Sequence, residues 1–262
     1  MRPAIALALL CLTPAAHSCS AMDERQIPVE DLARAMTLRY QGRTPSQWFE
    51  RGPGIVSVLP EPPGCDSRAQ RGVALTLDAC DGKTDMRIIA LLRDLRIPAA
   101  IFVTNRWLRD NADLAADLAT DPLFSLEAHG TRHKPASVDG RTAYNIPGTA
   151  NIAALVDEVE NNARSIAAVT GKRPRWYRSG TAFYDDVALL VIQDLGFSVA
   201  GFSISADQGG TMPAKAVGQR LLSAKDGDIL LLHVNRPESG TFEGLQEALL
   251  QMTEAGIKFV GL

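Results

Sequence analysis

From Gly72 to the C-terminus, short apolar runs rich in β-branched residues alternate with amphipathic stretches, and that alternation leaves few architectures open. VALTLD (73–78), PAAIFVT (98–104), FSLEAH (124–129), RWYRSG (175–180), FSVAGFSIS (197–205), DILLLHVN (228–235) and the closing IKFVGL read as strands. Between them the spacing predicts helices over 84–95, 107–119, 151–169, 185–195, 214–222 and 242–255. In the longest of these, Ile152, Leu155, Val156, Val159, Ala163 and Ile166 keep a 3.6-residue period until Gly171 stops it. Strands that alternate with helices pair in parallel, because each helix supplies the crossover that parallel neighbours need. No glycine-rich dinucleotide fingerprint follows the first strand, so a (β/α)7-type barrel of parallel strands is expected rather than an open α/β sheet.

The chain has 262 residues, 46% hydrophobic and 22% charged, enough for one large core. Its net charge is −3 and no Lys/Arg block interleaves with aromatics, which argues against nucleic acid as a partner. The N-terminus combines Arg2, an apolar run from Ala4 to Leu12 and small residues up to Ser18, and residues 1–18 read as a secretory signal peptide. A periplasmic or secreted protein is expected, with lipid attachment at Cys19 as the alternative. No later stretch approaches the roughly 20 apolar residues of a membrane helix, so no integral membrane segment is expected after cleavage. In an oxidising compartment the expected disulfide is Cys65 to Cys80, and a Cys80 that acts as nucleophile or metal thiolate is the alternative. Residues 19–71 hold six prolines between positions 22 and 70 and show no sustained period, so they read as a loosely structured extension with one short helix over 28–39. Residues 72–262 then form the catalytic domain.

Asp78, Thr104, His129, Arg178, Ser205 and His233 all fall at strand ends, and in parallel barrels chemistry gathers at the C-terminal ends of strands. His129 and His133 in HGTRH can converge on one ion, and with Asp78 they would make a three-ligand site that leaves a position for water. The segment is not the HExxH protease signature, because Gly130 stands where the base would be. An aspartate that ends an apolar strand must be a ligand, a base or a helix cap, and Asp81 in the same loop competes for these roles. Arg178 is suited to orient a carboxylate, with Asp207 as its expected partner. Backbone N–H groups in the SGTA loop near Thr181 are candidates for an oxyanion site.

With the residues in this order, the chain resembles the polysaccharide deacetylases of carbohydrate esterase family 4 over about residues 72–262. TLDACDG (76–82) matches that family's TFDDG motif, HGTRH (129–133) its H[S/T]xxH motif, RSGT from Arg178 loosely its RxPY motif, and LLH (231–233) its LxH motif. The resemblance implies a distorted barrel and a divalent metal, zinc by expectation, that serves removal of acetyl groups from an N-acetylated polysaccharide or oligosaccharide such as peptidoglycan, a chitin-like glycan or an exopolysaccharide. It further implies that His129, His133 and an aspartate hold the metal and that His233 protonates the leaving amine. In the family motif the first aspartate is the base and the second a ligand, and Ala79 occupies the second place here. Two divisions of labour stay open: Asp78 as ligand with Asp81 as base, which its rigid strand-end position favours, or the reverse. Asn235 is expected to orient substrate, and Trp107 and Tyr144 to stack on sugar rings. Two other readings compete: a metal-dependent hydrolase of small amides, and a catalytically silent carbohydrate-binding homologue, which Ala79 favours and the three histidines oppose.

Overall fold

A computed structural model describes residues 27–61 and 70–262. The expected signal peptide, Cys19 and Cys65 lie outside the described residues. The N-terminal part carries α1 (Val29–Arg39), β1 (Trp48–Phe49) and β2 (Ile55–Val56). Strands and helices then alternate through β3 (Val73–Ala79), α2 (Met86–Asp94), β4 (Ala99–Val103), α3 (Asn105–Asp110), α4 (Ala112–Thr120) and β5 (Phe124–Ala128). The hairpin of β6 (Thr142–Ala143) and β7 (Ile146–Pro147) precedes α5 (Ile152–Thr170), β8 (Trp176–Tyr177), β9 (Tyr184–Asp185) and α6 (Asp186–Asp194). The chain finishes with β10 (Ser198–Ala200), β11 (Ile204–Ser205), α7 (Ala214–Leu222), β12 (Ile229–His233), α8 (Thr241–Glu254) and β13 (Phe259–Val260).

The main sheet runs β11-β12-β3-β4-β5-β8-β10-β2, with β13 added to β3, and all of its pairs are parallel. It curls into a half-barrel, the distorted parallel architecture expected. Side-chain alternation along β3 divides its residues between two environments. Val73, Leu75, Leu77 and Ala79 pack into the large apolar core under the helices, whereas Ala74 joins a separate cluster with Phe202, Ile229 and Leu231 inside the curl. Thr76 and Asp78 share the parity of Ala74 and therefore point inward too.

Two expected elements are split. The predicted helix over 107–119 breaks at Asn111, whose backbone is non-helical and whose side-chain amide donates to the Gly82 and Trp107 carbonyls. The predicted strand 197–205 becomes β10 and β11. Between them Gly201 donates its N–H to Val56 O and Ser203 donates to Ile229 O, so the chain passes from one edge of the sheet to the other.

The described part of the N-terminal extension, expected to be loosely structured, is folded onto the sheet. β2 pairs with β10, Val58 bridges Asp228 at the foot of β12, β1 pairs with β9, and α1 packs along α5. Two-residue strands leave no period to read, and the strand and helix partners of this segment are all more than 100 residues away. No described helix is long and apolar enough to cross a membrane.

Candidate active site

Asp78, the second-to-last residue of β3, lies inside the curl opposite His233 of β12 in the sheet register. Its carboxylate accepts a 2.7 Å bond from Arg178 Nη1. Arg178 is fully buried, and its other bonds go to Thr76 Oγ1 (3.1 Å), Ala200 O (3.3 Å) and Gly201 O (2.8 Å). Its guanidinium lies 4.2 Å from the centroid of the Phe102 ring, a cation–π contact in a desolvated setting. Burial pushes the Asp78 carboxyl up, but Arg178 first, then His129 and His233, outweigh it and hold it below the usual carboxylate range. The expected carboxylate for Arg178 was Asp207; the one that it grips is Asp78, because both side chains face the interior of the curl.

The HGTRH loop after β5 is fastened by two polar residues of α5 on one helix face, four positions apart. Asn162 Oδ1 accepts the N–H groups of His129 (2.9 Å) and Gly130 (3.0 Å), and the buried Glu158 Oε1 accepts those of Arg132 (2.7 Å) and Lys134 (3.2 Å). Gly130 has φ +87°, and a Cβ there would sit 2.6 Å from Glu158 Oε1, which accounts for glycine where the family motif has a hydroxyl residue. At Gly180 a Cβ would come within 2.3 Å of the His133 backbone, so only glycine lets the RSGT loop lie against the histidine loop.

His129 is buried, and its Nδ1 lies 2.9 Å from Arg178 O; a carbonyl only accepts, so Nδ1 carries the proton and Nε2 keeps its lone pair. That lone pair faces Cys80 Sγ at 3.6 Å and Asp78 Oδ2 at 3.5 Å. The His133 ring meets His129 edge-on at 4.9 Å, and its buried Nε2 has no hydrogen-bond partner. Single donor atoms from Cys80, His129 and His133 all lie within 4.8 Å of one another. Two imidazoles, one with its tautomer fixed by a backbone carbonyl, and a thiol sulfur suit a borderline divalent ion. The expected set was the two histidines with Asp78 or Asp81, and neither aspartate belongs to this cluster. Among the described residues Cys80 has no disulfide partner; burial pushes its thiol up, but the three surrounding histidines hold it well below its ordinary value.

His233 ends β12. Its N–H donates to Asp207 Oδ2 at 2.7 Å and its Nδ1 to Oδ1 at 2.9 Å, while Thr241 Oγ1 donates to the same carboxylate at 3.0 Å. Burial pulls the imidazole down, but Asp207 and Cys80 prevail and raise it well above its ordinary value. Sequence reasoning missed Asp207 in this role, along with Glu158 and Asn162.

Asp78, His133 and His233 open onto a cleft of about 770 Å³, also lined by Arg51, Tyr144, Thr181, Phe202 and Arg220. Tyr144 is 70% exposed on the turn between β6 and β7, as a sugar-stacking role requires. Trp107, given the same expectation, is fully buried and donates from Nε1 to Thr84 Oγ1, so it is a core residue. Thr181 stands on the cleft wall with its Oγ1 unpartnered. Asp81 is engaged in its own turn, where it accepts Lys83 N–H at 3.1 Å and lies 3.9 Å from Arg236. Asn235, expected to orient substrate, is fully buried and outside the cleft wall. Neither its amide nitrogen nor its amide oxygen has a hydrogen-bond partner.

Comparison with known proteins agrees with this architecture. The polysaccharide deacetylase family model matches residues 66–200, more than half of the chain. A bifunctional xylanase/deacetylase of Pseudobutyrivibrio xylanivorans is 25% identical over 199 residues; the match takes in 75% of this chain but only 31% of that protein. Among solved structures, PdaA of Bacillus subtilis, a family 4 carbohydrate esterase, superposes with a TM-score of 0.63 at 17% identity, over 87% of this chain and 86% of that one. A family 4 esterase from Bacillus anthracis gives 0.61 at 19% identity, over 83% and 94%. A CE4 family pseudoenzyme from the same organism gives 0.61 at 20% identity, over 74% and 64%. These structures share the fold. The chain belongs to the polysaccharide deacetylase family, hydrolases that act on the N-acetyl amide of glycans.

Proposed function

We propose that this protein is a secreted or periplasmic, metal-dependent deacetylase that removes N-acetyl groups from a glycan of the peptidoglycan, chitin-like or exopolysaccharide kind. The observation that carries the reading is the pairing across one cleft of two groups with their own charged supports: Asp78 with Arg178, and His233 with Asp207. Export is supported by the character of residues 1–18.

His129 and His133 would hold a divalent ion such as zinc, whose Lewis acidity would serve the acyl carbonyl and the attacking water when it is bound. Asp78, kept ionised by Arg178, takes the proton of the attacking water, which reverses the role first favoured for it. His233 delivers a proton to the leaving sugar amine from Nε2, since Nδ1–H is committed to Asp207. The N–H of Thr181 is available to the developing oxyanion, whereas those of Gly180 and Ala182 donate to Lys134 O and Ser179 O. Tyr144 offers an aromatic face to a pyranose ring, and Phe202, covered by Arg51 at 5.2 Å, forms the apolar floor.

Release of acetate from chitooligosaccharides, peptidoglycan and acetylated xylan, with added zinc or a chelator, tests the reading. Release from an N-acetylated substrate that the chelator abolishes is the expected result. No release from any substrate with ion bound would instead favour a silent glycan-binding protein.

A further inference from the structure

We propose that Cys80 supplies the third protein ligand, giving this chain a Cys–His–His metal centre where the family's first motif implies an aspartate. The inference rests on the metal-dependent reading above, and it comes from strand parity. Cys80 is the residue just past the end of β3, two positions after Asp78, and its sulfur turns to the same inward side, toward His129, whereas Ala79 between them is fully buried in the apolar layer under the helices. An aspartate at position 79 would bury its carboxylate among Leu75, Leu77 and the helical core rather than reach the histidines. Position 79 thus carries no ligand in this chain, and the next inward position carries a sulfur.

Three further observations converge on that sulfur. Sγ lies 3.6 Å from His129 Nε2, the nitrogen left unprotonated by the bond from Nδ1 to Arg178 O. His133 Nε2 is buried with no partner, although it belongs to the same group of donors within 4.8 Å. The alternative oxygen ligands are worse placed: Asp81 accepts the Lys83 N–H, Asp78 commits Oδ1 to Arg178 and keeps only Oδ2, 3.5 Å from His129 Nε2, and neither joins the group of donors that Cys80 forms with both histidines. A soft thiolate beside two imidazoles selects zinc, or cobalt in its place, over magnesium, manganese or calcium, which prefer oxygen.

The test uses the whole protein, stripped with a chelator and reloaded with cobalt(II). A thiolate-to-cobalt charge-transfer band in the near ultraviolet is expected at one equivalent, and Cys80→Ser should lose it. Cys80→Ser should also weaken zinc binding by more than the roughly 10–100-fold that loss of an outer-shell partner costs. Zinc should protect Cys80 of the unsubstituted protein from alkylation, as read by the mass of the Cys80 peptide, a measurement that needs no variant to fold. A bound equivalent of cobalt without the band, a band that survives in Cys80→Ser, or alkylation of Cys80 undiminished by zinc would each overturn the proposal. The readouts are independent of substrate: a band without acetate release on any glycan sinks the deacetylase reading alone, and acetate release without a band sinks this inference alone.

Discussion

Arg178 is buried with its donors spent on Asp78, Thr76 and two backbone carbonyls, and that commitment is what makes an ionised Asp78 tolerable inside the curl. Removing one partner of such a pair leaves a buried charge at a cost of about 3–5 kcal/mol, so Arg178 matters to folding as well as to chemistry. Asp207 allows a cleaner separation of the two. Asp207→Asn keeps the shape of the side chain but removes the charge that fixes the His233 tautomer and supports its protonated form. We expect kcat to fall by roughly 10²–10³, within the usual range for a positioned acid, with KM nearly unchanged. A fall confined to KM would place Asp207 in substrate binding instead. At this scale the sequence displayed Asp78, His129, His133 and His233 through their positions at or beside strand ends. It could not display who pairs with whom, because Asp78 and Arg178 are separated by 100 residues.

The element that shapes the metal loop is α5. Its apolar period was legible from Ile152 to Ile166, but Glu158 and Asn162 lie on the buried side as well, and each is committed to backbone N–H groups of the segment from His129 to Lys134. A polar residue within an apolar stripe was the available signal, and its meaning depended on knowing which loop lay opposite. Asn162→Ala leaves the His129 amide with only its longer bond to Val103 O and the Gly130 amide without an acceptor. About 2–4 kcal/mol of stability should be lost, which at 2–4 °C per kcal/mol lowers Tm by roughly 4–16 °C. Calorimetry of the purified variant checks this, and a Tm within 2 °C of the parent by that scale would show that α5 is not the anchor.

For the molecule as a whole, the N-terminal segment is a clamp rather than a tail. Ser46 N–H, Ser46 Oγ and Gln47 N–H all donate to Asp186 at the start of α6, Arg141 holds the Pro45 and Gln47 carbonyls, and Tyr40 bonds Asp194 at the other end of that helix. Burial pushes the Asp186 carboxyl up, but the Ser46 hydroxyl and the two amides outweigh it and hold it below its ordinary value. A carboxyl depressed on folding stabilises fully above its unfolded value, near 4, and loses that contribution as pH falls through the folded value. The Tm gap between the parent and Asp186→Asn should therefore be about 2–4 °C at neutral pH, for about 1 kcal/mol at this solvent-facing site, and should close below about pH 4. A gap that persists or widens in acid would contradict the clamp. The sequence by itself determined the parallel α/β class, the order of strands and helices after Gly72, and the strand-end histidines, because local periods of 2 and 3.6 residues and chain order carry that information. Only the tertiary structure decided the pairing of Asp78 with Arg178 and of His233 with Asp207, the inward turn of Cys80, and the docking of the N-terminal segment on the sheet edge. Each of these depends on contacts between distant residues or on the side of a strand that faces inward, and neither leaves a periodic trace in the chain.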